Sequence, residues 1–198
     1  MKTVKLAAIF VLFLITIMGC NTNDNSFYNE EYLNIPNLTQ IQTQPSYAVG
    51  DYLYINSTIN RLQSESGQNT LLDLRKSTGN ATSFDFTYLI EKQIDANNWA
   101  LVDASPANII LSTGGFTYET GNFYNANAIF NPISDKYEFR VGIKLTSAGN
   151  YRLSFGYNSS STDSVEYRSN SVGNNLFMNI NSTISNLDSV GYYNFTVN

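Results

Sequence analysis

Apolar and polar residues alternate along several short segments, and this pattern restricts the fold more than any other feature of the chain. From Tyr137 to Leu145 every second residue is apolar, and the residues between them are charged or glycine. The same period of two recurs at 84–91, 151–157 and 193–197. Because successive side chains of a strand point to opposite faces, each segment is predicted to be a β-strand with one buried face.

The remaining segments indicate an all-β fold. No window shows a sustained helical period, and clusters of Gly, Asn, Ser and Pro separate the apolar runs. Further strand candidates are 52–59, 71–74, 99–102, 109–111, 126–130 and 176–180. Many short strands with frequent turn signals are typical of an antiparallel sandwich or barrel.

The segment from Leu145 to Leu153 places Tyr151 just after a Gly-Asn turn. It resembles the tyrosine corner at the start of strand F in immunoglobulin-like domains, where the tyrosine hydroxyl bonds back to the chain upstream. Leu153 stands where many antibody-type domains have cysteine, so the resemblance implies a disulfide-free Ig-like antiparallel sandwich. A plain hairpin is the alternative for this segment. Another β-sandwich or a barrel is the alternative for the fold, since 158–189 is longer than an F–G hairpin requires.

The chain opens with a short basic start and an apolar run. Lys2 and Lys5 precede the uncharged stretch from Leu6 to Met18. This stretch is too short to span a bilayer and has the length of a secretory signal core. Residues 1–19 are therefore predicted to be a signal peptide.

The segment from Ile17 to Cys20, Ile-Met-Gly-Cys, resembles the lipobox of bacterial lipoproteins. The resemblance implies that Cys20 is the lipidated first residue of the mature protein and that its lipid attaches the protein to a membrane. Cys20 is the single cysteine, so no intrachain disulfide is possible, and lipidation gives the thiol a use. Residues 20–34 are expected to form a polar tether, and 35–198 a single β-sandwich domain.

The charge of the mature chain is negative. Removing Lys2 and Lys5 from the 11 basic side chains leaves 9 against 16 acidic ones, a net charge of −7. The one adjacent basic pair is Arg75-Lys76, whereas binding to nucleic acid needs clustered Lys and Arg. Nucleic acid is therefore not expected as a partner, and neutral glycans or proteins are favoured over anionic polymers.

The residues most used in catalysis and metal binding are missing. The chain has no histidine, and its only cysteine is assigned to the lipid, so His-dependent triads and zinc hydrolases are excluded. No cofactor or metal motif occurs, and neither is expected. A carboxylate pair of the glycosidase type remains an alternative, although Asp85 and Glu91 are six residues apart and Glu30-Glu31 lies in the predicted tether. A non-enzymatic protein is expected.

The mature chain keeps 25 aromatic side chains, most of which are predicted to fill the core. The exception is the Gly- and Asn-rich stretch 114–125, where rings mix with amides and a carboxylate. Its candidate ligand-binding residues are Phe116, Tyr118, Glu119, Asn122, Phe123 and Tyr124. This mixture suits stacking on sugar faces, with amides and the carboxylate meeting hydroxyls. Tyr52 and Tyr54, on one face of a predicted strand, form a second candidate. Burial of the rings is the alternative for both.

Two short motifs, Asp163-Ser164-Val165 and Asp188-Ser189-Val190, resemble the Asp-Ser/Thr-aliphatic sites at which Bacteroidota-type bacteria attach O-glycans to exported proteins. The resemblance makes Ser164 and Ser189 candidate O-glycosylation sites. With the lipobox, the Asn-rich composition and the β pattern, the chain resembles the small lipoproteins of such bacteria, with no more specific family identified.

These observations predict a membrane-anchored, non-enzymatic binding or interaction lipoprotein. Asn21 follows the cysteine in place of the Asp that retains many lipoproteins in the inner membrane, so the outer membrane is expected, on its periplasmic or surface-exposed side. Capture of a polysaccharide and a structural or adhesive role with an envelope protein remain the two alternatives. Exposed rings in 114–125 favour capture, and buried rings favour the structural role.

Overall fold

Short β-strands make up most of the part of the chain that the computed structural model describes. This part comprises 29–65, 67–102, 105–119, 123–155, 162–171 and 176–198, with the backbone alone for 116–119. The strands are β1 (Asn29–Asn34), β2 (Thr39–Gln42), β3 (Tyr52–Asn60), β4 (Leu62–Gln63), β5 (Leu72–Asp73), β6 (Ser83–Gln93), β7 (Trp99–Leu101), β8 (Ile109–Thr113), β9 (Gly115–Glu119), β10 (Phe123–Asn131), β11 (Lys136–Lys144), β12 (Gly149–Ser154), β13 (Ser164–Asn170), β14 (Leu176–Thr183) and β15 (Tyr193–Val197). The short helix α1 (Leu74–Ser77) and a 3-10 turn at Pro106–Asn108 interrupt them. The prediction of an all-β fold is confirmed.

Most of the strands form one curled, mixed sheet. Its main path runs β1-β14-β13-β6-β10-β11-β3-β2. The pairs along this path are antiparallel except for β1, which runs parallel to β14 with Asn29 opposite Leu176. Residues 35–38 connect β1 at one end of the path to β2 at the other, and the sheet curls into a half-barrel. The Ig-like antiparallel sandwich is not confirmed.

The sheet includes part of the predicted tether. Residues 29–34 form β1, and its parallel pairing continues from Ile35 N to Asn181 O at 3.0 Å and from Asn37 N to Thr183 O at 2.9 Å. Most side chains of β1 are exposed, so its sequence lacks the alternation that marks a half-buried strand. Residues 29–34 of the predicted tether are therefore a strand of the sheet. Residues 1–28, with the predicted signal peptide and Cys20, lie outside the described residues.

The long strand β6 changes partners halfway along. Its first half pairs with β10 on one edge and β13 on the other, and its second half pairs with β7 and β12. β12 then pairs with β15. One strand thus belongs to two groups of partners, as at the corners of packed sheets. The buried side chains along its inner face are Phe84, Phe86, Tyr88 and Ile90.

Aromatic rings fill the inside of the curl. Phe86 packs edge-on against Phe139 at 5.2 Å between ring centroids and tilted against Tyr167 at 4.8 Å. The apolar residues that alternate between Tyr137 and Leu145 are all buried, as predicted. The core therefore accounts for many of the rings that the composition supplies.

The hydrogen bond of the predicted tyrosine corner is present. The hydroxyl of Tyr151 donates to the carbonyl oxygen of Ser147 at 2.8 Å, between β11 and β12. The ring of Tyr151 stacks on Phe195 at 5.4 Å between centroids. The local contact is thus confirmed, although the surrounding sheet is mixed.

Replacing Tyr151 with Phe is expected to lower the free energy of unfolding by about 1 kcal/mol, the usual net contribution of one hydrogen bond. The ring and its stacking on Phe195 are retained, so only the hydroxyl is lost. Urea unfolding measures the difference. Ser147→Ala keeps the carbonyl acceptor but removes the contacts of Ser147 Oγ with the Tyr151 hydroxyl at 3.0 Å and with Lys92 Nζ at 2.7 Å, so it measures these side-chain contacts apart from the corner bond. An unchanged urea midpoint for Tyr151→Phe would show that the tyrosine hydroxyl contributes nothing.

Candidate functional site

The aromatic stretch 114–125 folds as β9 and the start of β10. The two strands are antiparallel, with Tyr118 opposite Tyr124 in the backbone register. The side chains of Phe116, Tyr118 and Glu119, and all of Asn122, lie outside the described residues. Their assignment to a ligand site therefore stays a prediction.

Tyr124 belongs to the core, which corrects its assignment as a ligand-binding residue on the surface. Its side chain is 2% exposed, and its ring stacks on Tyr88 with 4.9 Å between centroids and 7° between planes. Its hydroxyl donates to the carbonyl oxygen of Val102 at 2.5 Å. Phe123 is half-buried on the opposite face of β10. The asparagines around Tyr124 suggest exposure, but they occupy the outward positions of an alternating strand.

The two candidate O-glycan acceptors differ in accessibility. Ser164 is the first residue of β13, lies opposite Thr183 and is 5% exposed. A transferase would have to reach this hydroxyl before the strand is buried, so the structure favours Ser189 over Ser164 as an acceptor.

Ser189 is exposed at the tip of the turn between β14 and β15. The carboxylate of Asp188 accepts hydrogen bonds from Val190 N and Tyr192 N, both at 2.9 Å, and from Asn194 Nδ2 at 2.6 Å. These bonds, led by that from Tyr192 N, lower the pKa of Asp188. The aspartate therefore holds the turn, and Ser189 remains a predicted acceptor.

The carboxylates considered for a glycosidase pair are held in separate contacts. Asp85 accepts from Ser83 Oγ at 2.7 Å, and Glu91 pairs with Arg152 at 2.7 Å. Within the described residues, no group of three or more His, Cys, Asp or Glu is placed to hold a metal ion. No helix in that part of the chain is long and apolar enough to cross a membrane.

On the outer face of β3 and β11, Tyr52, Tyr54 and Asn56 of β3 lie beside Arg140 and Gly142 of β11, which are distant from them in sequence. Tyr54 lies opposite Gly142, where a Cβ would come within 2.6 Å of the tyrosine ring. The guanidinium of Arg140 lies 4.7 Å from the same ring centroid and donates to Asn56 Oδ1 at 2.9 Å. We call these five residues the tyrosine platform.

Both rings of the tyrosine platform are half-buried, with 6.1 Å between their centroids. Packing against β11 therefore holds Tyr54 in place while part of each ring stays open to solvent. Rings that are already fixed lose little conformational entropy when a ligand stacks on them.

A polar groove continues the platform along β3. It has a volume of about 320 Å³ and lies between the 35–38 connection and the outer face of β3. Its polar lining consists of Asn37, Gln40, Asn56, Thr58, Asn60 and Gln63. Each amide offers both donors and an acceptor, which suits a ligand rich in hydroxyl groups.

No family model matches the chain, and searches of curated proteins and of solved structures give no significant match. The platform and the groove are therefore the features of the molecule that bear on its function. The alternation in β3 already placed Tyr52, Tyr54 and Asn56 on one face. The contributions of Arg140 and Gly142 depend on the register between β3 and β11, which the sequence does not specify.

Proposed function

We propose that the protein is a membrane-anchored, non-enzymatic lipoprotein that captures a glycan on the tyrosine platform. The observation that carries the proposal is the Tyr54 ring, held against Gly142 and Arg140 beside a groove lined by amides. Aromatic rings offer flat apolar surface to the C–H face of a sugar, and amides bond its hydroxyl groups. This combination supports recognition without chemistry on the ligand.

The burial of Tyr124 favours the structural role as far as 114–125 is concerned, so the proposal of glycan capture rests on the tyrosine platform instead. The Ig-like relation is proposed for the corner at 145–153 alone, on the strength of the Tyr151 hydrogen bond. O-glycosylation is proposed for Ser189, whose hydroxyl is exposed on a held turn.

Replacing Tyr54 with Ala is expected to weaken glycan binding about tenfold, which corresponds to about 1.4 kcal/mol. The measurement is a titration of the mature protein in detergent micelles with a panel of neutral and acidic polysaccharides, followed by tyrosine fluorescence. Tyr32→Ala is the matched control, because Tyr32 is 59% exposed on β1 at the other end of the sheet path. Equal affinities for the two variants would refute the platform, and binding of no glycan would refute the proposed function.

The proposed anchor is the lipid on Cys20, in the outer membrane, supported by the lipobox-like segment. We expect Cys20→Ser to accumulate as an unlipidated precursor, because the thiol is the acyl acceptor. Labelling cells with a traceable fatty acid measures this, and equal label on wild type and variant would contradict it. Residues 21–28 separate Cys20 from β1, so even fully extended they span at most about 28 Å.

A structural or adhesive role with an envelope protein is the second candidate. It is favoured by β8, an outer strand whose side chains Ile110 and Leu111 are each 43% exposed. Strand edges with apolar side chains are suited to pairing with another chain. Protease accessibility on intact cells, combined with the glycan panel, separates the two roles.

A further inference from the structure

We propose that the glycan is acidic, and that the outer face of β3 and β11 binds a carboxylate-bearing sugar chain that runs along β3. This inference rests on the proposed function and specifies the charge and the direction of its ligand. It contradicts the expectation from net charge, which favours a neutral glycan.

On this face, β3 contributes uncharged side chains and β11 contributes the charged ones. The outward residues of β3 are Tyr52, Tyr54, Asn56, Thr58 and Asn60, all uncharged. Their partners on β11 are, in the same order, Lys144, Gly142, Arg140, Glu138 and Lys136. Rings and amides thus form one row, about 26 Å long, and three cations with one carboxylate form the row beside it.

The cations of this row are Lys136, Arg140 and Lys144. Among the described residues, no carboxylate lies within salt-bridge distance of any of them, whereas Arg61 has two such partners and Arg152 and Arg168 have one each. The carboxylate in the row, Glu138, accepts from Asn131 Nδ2 at 2.8 Å. Within the described part of the chain, the row therefore carries an excess of positive charge without a salt bridge to neutralise it.

The excess of acidic residues elsewhere in the chain does not cancel this charge. At physiological ionic strength the Debye length is about 8 Å, so exposed carboxylates on distant strands are largely screened at the row. The local sign of the charge therefore decides which ligands the face attracts.

Arg140 is already positioned for a carboxylate. Its ring contact with Tyr54 and its bond to Asn56 fix the guanidinium plane, and its Nη2 lies 3.5 Å from Gln42 Oε1. A guanidinium has five N–H donors, so donors remain for a ligand beside the stacked ring. A hydrogen bond from this group to a carboxylate is charge-assisted and stronger than one to a neutral hydroxyl.

The spacing of the cations favours a sugar chain over a single-stranded nucleic acid. Lys136, Arg140 and Lys144 are four residues apart, which is about 13 Å along the strand. Single strands carry a charge at every nucleotide and bind to grooves that follow the backbone with dense positive charge. Sparse cations beside amides fit carboxylates separated by hydroxyl-bearing units.

The test compares hyaluronan oligosaccharides, in which a carboxylate-bearing sugar alternates with an uncharged one, with their methyl esters, which have the same length and no charge. The lengths are chosen to cover the row of about 26 Å. The mature lipidated protein in detergent micelles is titrated with each at about 50 mM and about 200 mM NaCl. We expect the acid to bind about tenfold more tightly than the ester at the lower salt concentration, and this difference to shrink at the higher one.

Variants assign the effect to the row. Arg140→Gln and Lys144→Gln are expected to reduce acid binding towards that of the ester, while Lys76→Gln, on α1, is the matched control and leaves the difference unchanged. Gly142→Ala is expected to weaken both ligands, because the new methyl group displaces the Tyr54 ring. Melting curves verify that each variant is folded.

The outcomes separate this inference from the proposed function. Equal binding of acid and ester, or acid binding that Arg140→Gln and Lys144→Gln leave intact, overturns the acidic ligand, and loss of binding in Tyr54→Ala then still supports glycan capture. Binding of neither ligand counts against both proposals. Tighter binding of single-stranded poly(dT) than of the acid assigns the face to nucleic acid and overturns the inference.

Discussion

Gly114→Ala is expected to lower the free energy of unfolding by about 3 to 4 kcal/mol, from backbone strain together with overpacking. Gly114 separates β8 from β9 at a φ of 86°. β8 pairs with β11 and β9 pairs with β10, so the glycine lies at the fork where β10 and β11 part.

A side chain at this fork has no room. A Cβ on Gly114 would lie 2.6 Å from the carbonyl oxygen of Asn127 on β10 and 2.9 Å from that of Glu138 on β11. Both atoms belong to the backbone of paired strands, so relief requires the strands to shift. If the clashing atoms belonged to a flexible side chain, that side chain could move aside at a much lower cost in free energy.

Gly50→Ala is the matched control. Gly50 also has a positive φ, 100°, but its Cβ would meet no atom within 4 Å. Gly50→Ala is expected to lower the free energy of unfolding by about 1 kcal/mol, from backbone conformation alone. Urea unfolding of both variants measures the difference, and equal losses would show that the contacts at the fork carry no energy.

The fork also shows where sequence analysis fails. Period two finds β6, β11 and β12 because each has one buried face, and that face is a local property of the strand. Gly114, by contrast, is indistinguishable from a loop glycine in the sequence. The need for a residue without a side chain comes from β10 and β11, which approach it from elsewhere in the chain. β1 is missed for a related reason, because its parallel pairing with β14 joins residues far apart in sequence.

The candidate site likewise has a part that the local sequence predicts and a part that only the strand register determines. The side chains of β3 that face outward follow from alternation, but the cations beside them follow from the register that pairs Tyr52 with Lys144. Net charge is a property of the whole chain, whereas a ligand meets the charge of one face. The expected preference for neutral glycans was based on the net charge of the chain, which does not describe the charge of this one face.

Tyr167→Phe is expected to lower the free energy of unfolding by about 2 kcal/mol, because it leaves buried hydroxyl groups without partners. Tyr167 is fully buried on β13, and its hydroxyl bonds Ser57 Oγ of β3 at 2.6 Å and Thr39 Oγ1 of β2. The bonds cross the inside of the curl and join distant parts of the sheet path. Burial raises the pKa of Tyr167 to about 12, so the phenol keeps its proton at neutral pH.

The matched control is the same substitution at Tyr88. This ring is also fully buried, but among the described residues its hydroxyl oxygen has no hydrogen-bond partner. Removing an unsatisfied buried hydroxyl relieves a desolvation penalty, so Tyr88→Phe is expected to leave stability unchanged or raise it by about 1 kcal/mol. Urea unfolding distinguishes the signs, and a similar loss at both positions would show that ring packing, not the hydroxyl network, determines the effect.

Removing the partners of Tyr167 tests the cause directly. If the loss in Tyr167→Phe comes from unsatisfied hydroxyls, adding Ser57→Ala and Thr39→Val removes those groups, each of which is 1% exposed. The triple variant is then expected to regain part of the lost stability, because replacing all partners of a buried hydrogen bond by apolar groups costs less than removing one. If the losses of stability in the single variants Tyr167→Phe, Ser57→Ala and Thr39→Val add up in the triple variant, the three hydroxyl groups are not coupled. Packing alone then holds the curl together, and the hydrogen bonds between β13, β3 and β2 contribute nothing to it.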